Sequence, residues 1–225
     1  DVLGAAMLSE SLSEYVSLKV LEKELGKPQM RKFLKRSLDG YLTQRTFESK
    51  REKPLMYNDG QGYIRYEKGS LVFYAMSDYI GEKVLNDAIK TYVEKVKFQE
   101  APYTTSVDMV NHIKAVTPDS LQYVIKDMFE TITLYDNRIL DVSSTEMDNG
   151  KFKVDIEFNV SKYRNNEKGK RFYSEAGRDS ITYLAEGKKR PLVSVKLEDY
   201  IDIGIFTEDD IDGKKKQRIL YLKKY

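Results

Sequence analysis

The 225-residue chain has no cysteine, no tryptophan, five prolines and one histidine, His112. Without cysteine it can form no disulfide, bind no zinc through thiolates and use no sulfur nucleophile. The compartment stays open, because reducing and oxidising environments both tolerate such a chain. One histidine cannot furnish a two-histidine zinc site, nor a triad where no nucleophile motif is present. His112, between Asn111 and Ile113 in a helical stretch, reads as a partly exposed helical residue. No glycine-rich loop of the P-loop or Rossmann type is present. No apolar run approaches the roughly 20 residues that span a bilayer, and no signal peptide is visible. The chain opens with Asp1 and enters a helical pattern almost at once, so we read it as a soluble piece of something longer. Charge of one sign is missing too. Lys+Arg 38 against Asp+Glu 36 gives a formal net charge of +2, which argues against a nucleic-acid partner recruited by bulk charge. The basic clusters "EGKKRP" (186–191) and "GKKKQR" (213–218) have acidic flanks and read as solvated turns.

What is present falls into two parts. Leu8, Leu12, Tyr15, Leu18, Leu21 and Leu25 recur at helical spacing, and Gly26 and Pro28 stop the pattern. A second helix follows through Met30, Phe33, Leu34, Leu38 and Tyr41, then a polar loop over about 45–62. The spacing predicts further helices over Tyr66–Tyr79, ended by Gly81, and from Glu82 to about Lys97, with Val84, Leu85, Ala88, Ile89, Tyr92, Val93 and Val96 inward. Thr105 and Asp108 have the spacing of a capping box for a helix through Ala115, and Thr117-Pro118 starts a last one.

After "TLYDNR" (133–138) the period becomes two. Phe152, Val154, Ile156, Phe158 and Val160 alternate as a strand with one buried face, preceded by the hairpin signal "DNG" at 148–150. Short strands are predicted at 181–185, 192–197, 200–206 and 218–223. The expected fold is α+β, with a helical region at 1–135 and a small antiparallel β-sandwich at 136–225.

Two short segments carry chemistry. Glu10 and Glu14 stand one turn apart on the first helix, either as a solvated face or as the remnant of a metal site. Tyr66, in "YIRYEKG" (63–69), reads by itself as an aromatic at a helix start in a chain with 17 tyrosines. Taken together, "LSESLSEY" (8–15) and "YIRYEKGSLVFYAM" (63–76) resemble the aminopeptidase N family of gluzincin zinc metallopeptidases. The first resembles that family's L-N-E-G-x-x-E-Y segment, with Ser9 and Ser11 in place of Asn and Gly; Tyr66-Glu67-Lys68-Gly69 resembles its Y-x-K-G segment, which opens a helix. The resemblance covers about residues 5–130 and implies the helical C-terminal half of a thermolysin-like catalytic domain. It implies Glu10 as the third zinc ligand, Tyr66 as the catalytic tyrosine and Glu14 as a supporting residue at most. The family's H-E-x-x-H is missing from this chain, so the zinc of the whole protein would need an upstream half, and the chain alone is expected to bind no zinc and to be inactive. The β part is similar to the tail of bacterial membrane proteins that fuse ABC-type permease segments to an aminopeptidase-N-like domain, which would place the parent in a bacterial inner membrane. The function so implied is removal of N-terminal residues from peptides by the whole protein. The alternatives are a pseudopeptidase serving as an interaction module beside a transporter, and an unrelated binding module of helices and a sandwich.

Overall fold

A computed structural model describes residues 2–169, 171–172, 199–211 and 214–224. Helices fill the first part of the chain: α1 (Leu12–Leu25), α2 (Met30–Arg45), α3 (Gly69–Tyr79), α4 (Glu82–Val96), α5 (Ser106–Val116) and the short α6 (Gln122–Ile125). Strands follow as β1 (Ile132–Glu146), β2 (Phe152–Asn165), β3 (Arg171–Phe172), β4 (Asp202–Ile211) and β5 (Lys214–Lys224). The class is α+β, as the sequence suggested. The predicted strands at 181–185 and 192–197 lie outside the described residues.

The chain divides into two compact units, Asp1–Ile132 with Asp199–Tyr225, and Thr133–Glu198. In the first, an aromatic spine organises the core. Tyr15 of α1 lies 6.1 Å from Phe73 of α3, and Phe73 meets Phe129 edge-on at 5.5 Å. Met7, Met30, Ile64, Met76, Leu85, Met109 and Ile125 are buried in the same unit. Helix ends follow local chemistry. Gly26 (φ 84°) ends α1 and Gly81 (φ 93°) separates α3 from α4, a backbone conformation that costs glycine nothing. Thr105 and Asp108 form the reciprocal capping box at the start of α5. In the same unit β4 and β5 pair antiparallel, from Asp202 opposite Lys224 to Ile211 opposite Lys214, with a bulge between Ile205 and Phe206. Tyr200, just before β4, donates its N–H to the Tyr123 hydroxyl at 3.3 Å, and its carbonyl accepts from the Tyr79 hydroxyl at 3.4 Å.

In the second unit β1, β2 and β3 form one sheet in that order, with β2 antiparallel to β3. The β1–β2 turn closes through Met147 N–H to the Lys151 carbonyl at 2.8 Å and Gly150 N–H to the Met147 carbonyl at 2.9 Å.

The structure corrects several expectations. Phe152 and Phe158 are 63 % and 39 % exposed, so the alternating face of β2 is not fully buried. On α4 only Leu85, Ala88 and Tyr92 are buried, whereas Val84 and Val93 lie on the flanks of the stripe and face solvent. The last helix is a composite of a 3₁₀ turn (Asp119–Leu121), α6 and a π turn (Lys126–Glu130). Helical structure before α3 begins at Tyr63 rather than Tyr66, because a π turn over Tyr63–Lys68 leads into α3 without a break. The Tyr66-Glu67-Lys68-Gly69 segment therefore sits inside a helix and does not open it.

Candidate active site

Both motif segments are wide turns. Met7–Ser11 is π-helical and carries Glu10; Tyr63–Lys68 is π-helical and carries Tyr66. The widening is visible in the hydrogen bond from Gly69 N–H to the Ile64 carbonyl, five residues back. A turn with one residue too many leaves backbone groups without their regular partners, and such turns recur at functional sites.

Here the first wide turn supplies a partner to the second. The Ser11 hydroxyl, fully buried, donates to the Arg65 carbonyl at 2.7 Å. Gly69 makes the approach possible, since a Cβ at that position would collide with Ser11 Oγ and Cβ. The residue after Glu10 is thus bonded to the residue before Tyr66. Ser9, the other serine of the first motif, turns its hydroxyl back to the Ala5 carbonyl at 3.1 Å.

Glu10 and Tyr66 are both half-buried, and among the described residues neither Glu10 nor the Tyr66 hydroxyl has a hydrogen-bond or ion-pair partner. The Arg65 guanidinium lies over the Tyr66 ring, 4.9 Å from its centroid. Glu14, in the first turn of α1, is also half-buried and without a partner among the described residues. His112 sits on α5 with Nε2 3.0 Å from Thr91 Oγ1 and its ring 5.9 Å from that of Tyr92. Among the described residues no three histidine, cysteine, aspartate or glutamate side chains come together as a metal-holding group. The donor set explains this. A catalytic zinc takes three protein ligands, and Glu10 by itself would be one carboxylate. The chain's own residues do not fit the metal by themselves.

A third feature, which helical and strand periodicity do not mark, is a buried polar cluster beside the second wide turn. Glu52 is 2 % exposed. Its carboxylate accepts from the Tyr41 hydroxyl at 2.6 Å and from Arg45 Nε at 2.5 Å. Tyr63 stacks on Tyr41 at 6.0 Å and donates to Glu48 at 3.0 Å. Lys68 is 6 % exposed, with Nζ 5.6 Å from the Tyr41 ring centroid and no hydrogen-bond acceptor among the described residues. Burial pushes the Lys68 ammonium down to about 8, against the pull of Glu52 and with some help from Arg45. Burial also raises the Tyr41 and Tyr63 phenols, reinforced by Glu52 and Glu48 respectively. Glu48 and Glu52 belong to the connection between α2 and the second wide turn, whose polar composition reads as a solvated loop. The only hint was the density of tyrosines at 41, 57, 63 and 66.

A shallow groove of about 730 Å³ lies elsewhere, between α1 and α4, with Leu12, Val16, Val20 and Ile89 in its lining; Glu10, Glu14 and Tyr66 do not line it.

Residues 4–131 match the model of the peptidase family M1 domain. Neither a curated protein nor a solved structure matches the chain.

Proposed function

Because the chain belongs to peptidase family M1, we propose that it contributes Glu10 and Tyr66 to the active site of a zinc aminopeptidase that removes N-terminal residues from peptides. The observation that carries this reading is the pairing of two wide turns through Ser11 and Gly69, on which stand a carboxylate and a phenolic hydroxyl with no hydrogen-bond partner among the described residues. A carboxylate without a cationic partner is suited to a metal, and a free phenol is suited to donating a hydrogen bond. Tyr66 would donate to the oxyanion that forms when water adds to the peptide carbonyl; losing such a donor typically costs about 10²–10³ in rate. Glu10 would be one of three zinc ligands, with two imidazoles and the general base supplied by residues outside this sequence. Glu14, one turn further on, would steady that carboxylate at most.

The test compares zinc content and aminoacyl-anilide hydrolysis for the 225-residue chain and for the chain extended by its natural upstream residues. The extended protein should hold one zinc and turn over substrate. Glu10→Gln should abolish retention of the metal, and Tyr66→Phe should keep the metal while lowering kcat. An extended protein that retains no zinc sinks the reading.

A second reading draws on Ser9 and Ser11, which stand where the family has Asn and Gly. Under it the fold is kept as an interaction module next to a transporter, in a bacterial membrane protein of the permease-fused kind. Among the described residues no helix is long and apolar enough to cross a membrane, so any permease segment would lie elsewhere in such a protein.

A further inference from the structure

The polar cluster beside the second wide turn has a composition that stability alone does not explain. Two cations, Arg45 and Lys68, share one buried carboxylate, Glu52, which is already occupied by Tyr41 and Arg45. Lys68 Nζ and Arg45 Nη2 lack acceptors among the described residues. Burying charge in this way costs more than it returns in many proteins, and apolar replacements are often neutral or stabilising. A methionine could fill the space of Lys68 without that cost. What the ammonium adds is direction, through attraction to the Tyr41 ring on α2 and to Glu52 on the connection. The other end of the same turn is tied to the same two elements, since Tyr63 stacks on Tyr41 and donates to Glu48. Tyr66 lies between these two ties.

We propose that Lys68 is a positioning residue for Tyr66: together with Tyr63 it holds the turn Tyr63–Lys68 against α2 and the connection, and so fixes where the Tyr66 hydroxyl stands. Its functional meaning rests on the oxyanion role assigned to Tyr66 above, whereas the placement rests on the contacts just described. The charge of Lys68 is responsive, because burial brings its ammonium down to about 8, with Glu52 favouring the charged form and Arg45 opposing it. The other elements packed on this turn carry few ionisable groups. The first wide turn brings Glu10 and the short turn Leu55–Tyr57 brings Tyr57. On α3, Tyr74 is engaged by Glu22, Asp78 by Lys27 and Tyr79 by the Tyr200 carbonyl. Arg65 and Glu67 share the turn itself.

The experiment labels tyrosine Cζ with ¹³C in the 225-residue chain and follows the Tyr66 signal, assigned by its loss in Tyr66→Phe. The signal is recorded from about pH 6 to about pH 9, short of the range in which phenols ionise appreciably, with thermal unfolding measured alongside. In the wild type it should shift with a midpoint near 8. Lys68→Met should abolish that shift and displace the signal at neutral pH, while Tm at neutral pH stays unchanged or rises. Lys68→Arg, a cation that does not titrate in this range, should restore the neutral-pH signal and stay flat with pH. A Tyr66 signal in Lys68→Met that coincides with wild type at every pH overturns the proposal, whatever happens to Tm. If Lys68→Met does not fold, Glu52→Gln decides, because it removes the anion and must displace the same signal; an unmoved signal overturns the proposal. The readout needs neither metal nor turnover, so its failure is separate from a failure of the extended protein to hold zinc.

Discussion

The two wide turns share one anchor and differ in what is added to it. Met7–Ser11 is held by a neutral device, a buried hydroxyl on a carbonyl with a glycine making room. Tyr63–Lys68 shares that device and adds a buried ionic cluster on its other contacts. A neutral hydrogen bond of this kind contributes about 1 kcal/mol and tolerates changes of pH. A buried ionic cluster adds little or negative net stability, yet it specifies geometry and responds to protonation. The turn that carries the phenol is therefore the one whose setting depends on charge.

That contrast can be broken by mutation and by pH. The largest effect is expected at Glu52, because Glu52→Leu strands Arg45 and Lys68 without their anion. Loss of one partner of a buried pair costs about 3–5 kcal/mol, and urea unfolding at neutral pH would measure it. A loss well below about 1 kcal/mol would show that the cluster is solvated and weak.

Next comes pH. The folded-state pKa of Lys68 lies below its unfolded value, so the unfolded chain binds more protons above about pH 8 and stability from this group rises with pH. The slope is at most about 1.4 kcal/mol per pH unit, up to about pH 10. Beyond that the raised phenols of Tyr41 and Tyr63 act in the other direction, because the folded state keeps protons that the unfolded state releases. Unfolding free energies measured across this window should rise in the wild type and lose that rise in Lys68→Met.

The neutral device should give a smaller, pH-independent response. Gly69→Val drives a branched side chain into Ser11 and should cost about 2–3 kcal/mol. The cost should be largely recovered in the double variant with Ser11→Gly. Smallest of all, Ser11→Ala leaves the Arg65 carbonyl unmet and should cost about 1–2 kcal/mol, with the same value at pH 6 and pH 9. A pH-dependent cost there would erase the distinction between the two anchors.

Local signals in the sequence located much of this structure. The helix stops at Gly26 and Gly81, the Thr105–Asp108 box and the turn at 148–150 each depend on residues within a few positions of one another. The features that failed to show depend on distant partners. A π turn cannot be told from an α turn by apolar spacing, since one extra residue matters only against the surface it meets, here Ser11 against Arg65 and Gly69. The Glu52 cluster joins residues from 41 to 68, and its buried carboxylate lies in a segment whose composition reads as solvated. Val84 and Val93 show the converse error: periodicity marks an apolar stripe on α4, and packing covers only its middle. Of the candidate site, the sequence singles out Glu10 and Tyr66 as candidates, whereas the wide turns that hold them and the lysine beside them have no local signature.

The extra residue in each wide turn also sets how much a single deletion would disturb the helices that carry Glu10 and Tyr66. An α-helix turns about 100° per residue, so an in-frame loss of one codon within Met7–Ser11 would let the turn close to regular α geometry with its hydrogen bonds intact. The wide turn absorbs its extra residue, so the helix beyond it would keep its facing, and the shift would fall on the residues of the turn itself, Glu10 among them. Such a lineage would keep a folded, expressible domain while moving Glu10 relative to Tyr66 in a single genetic step.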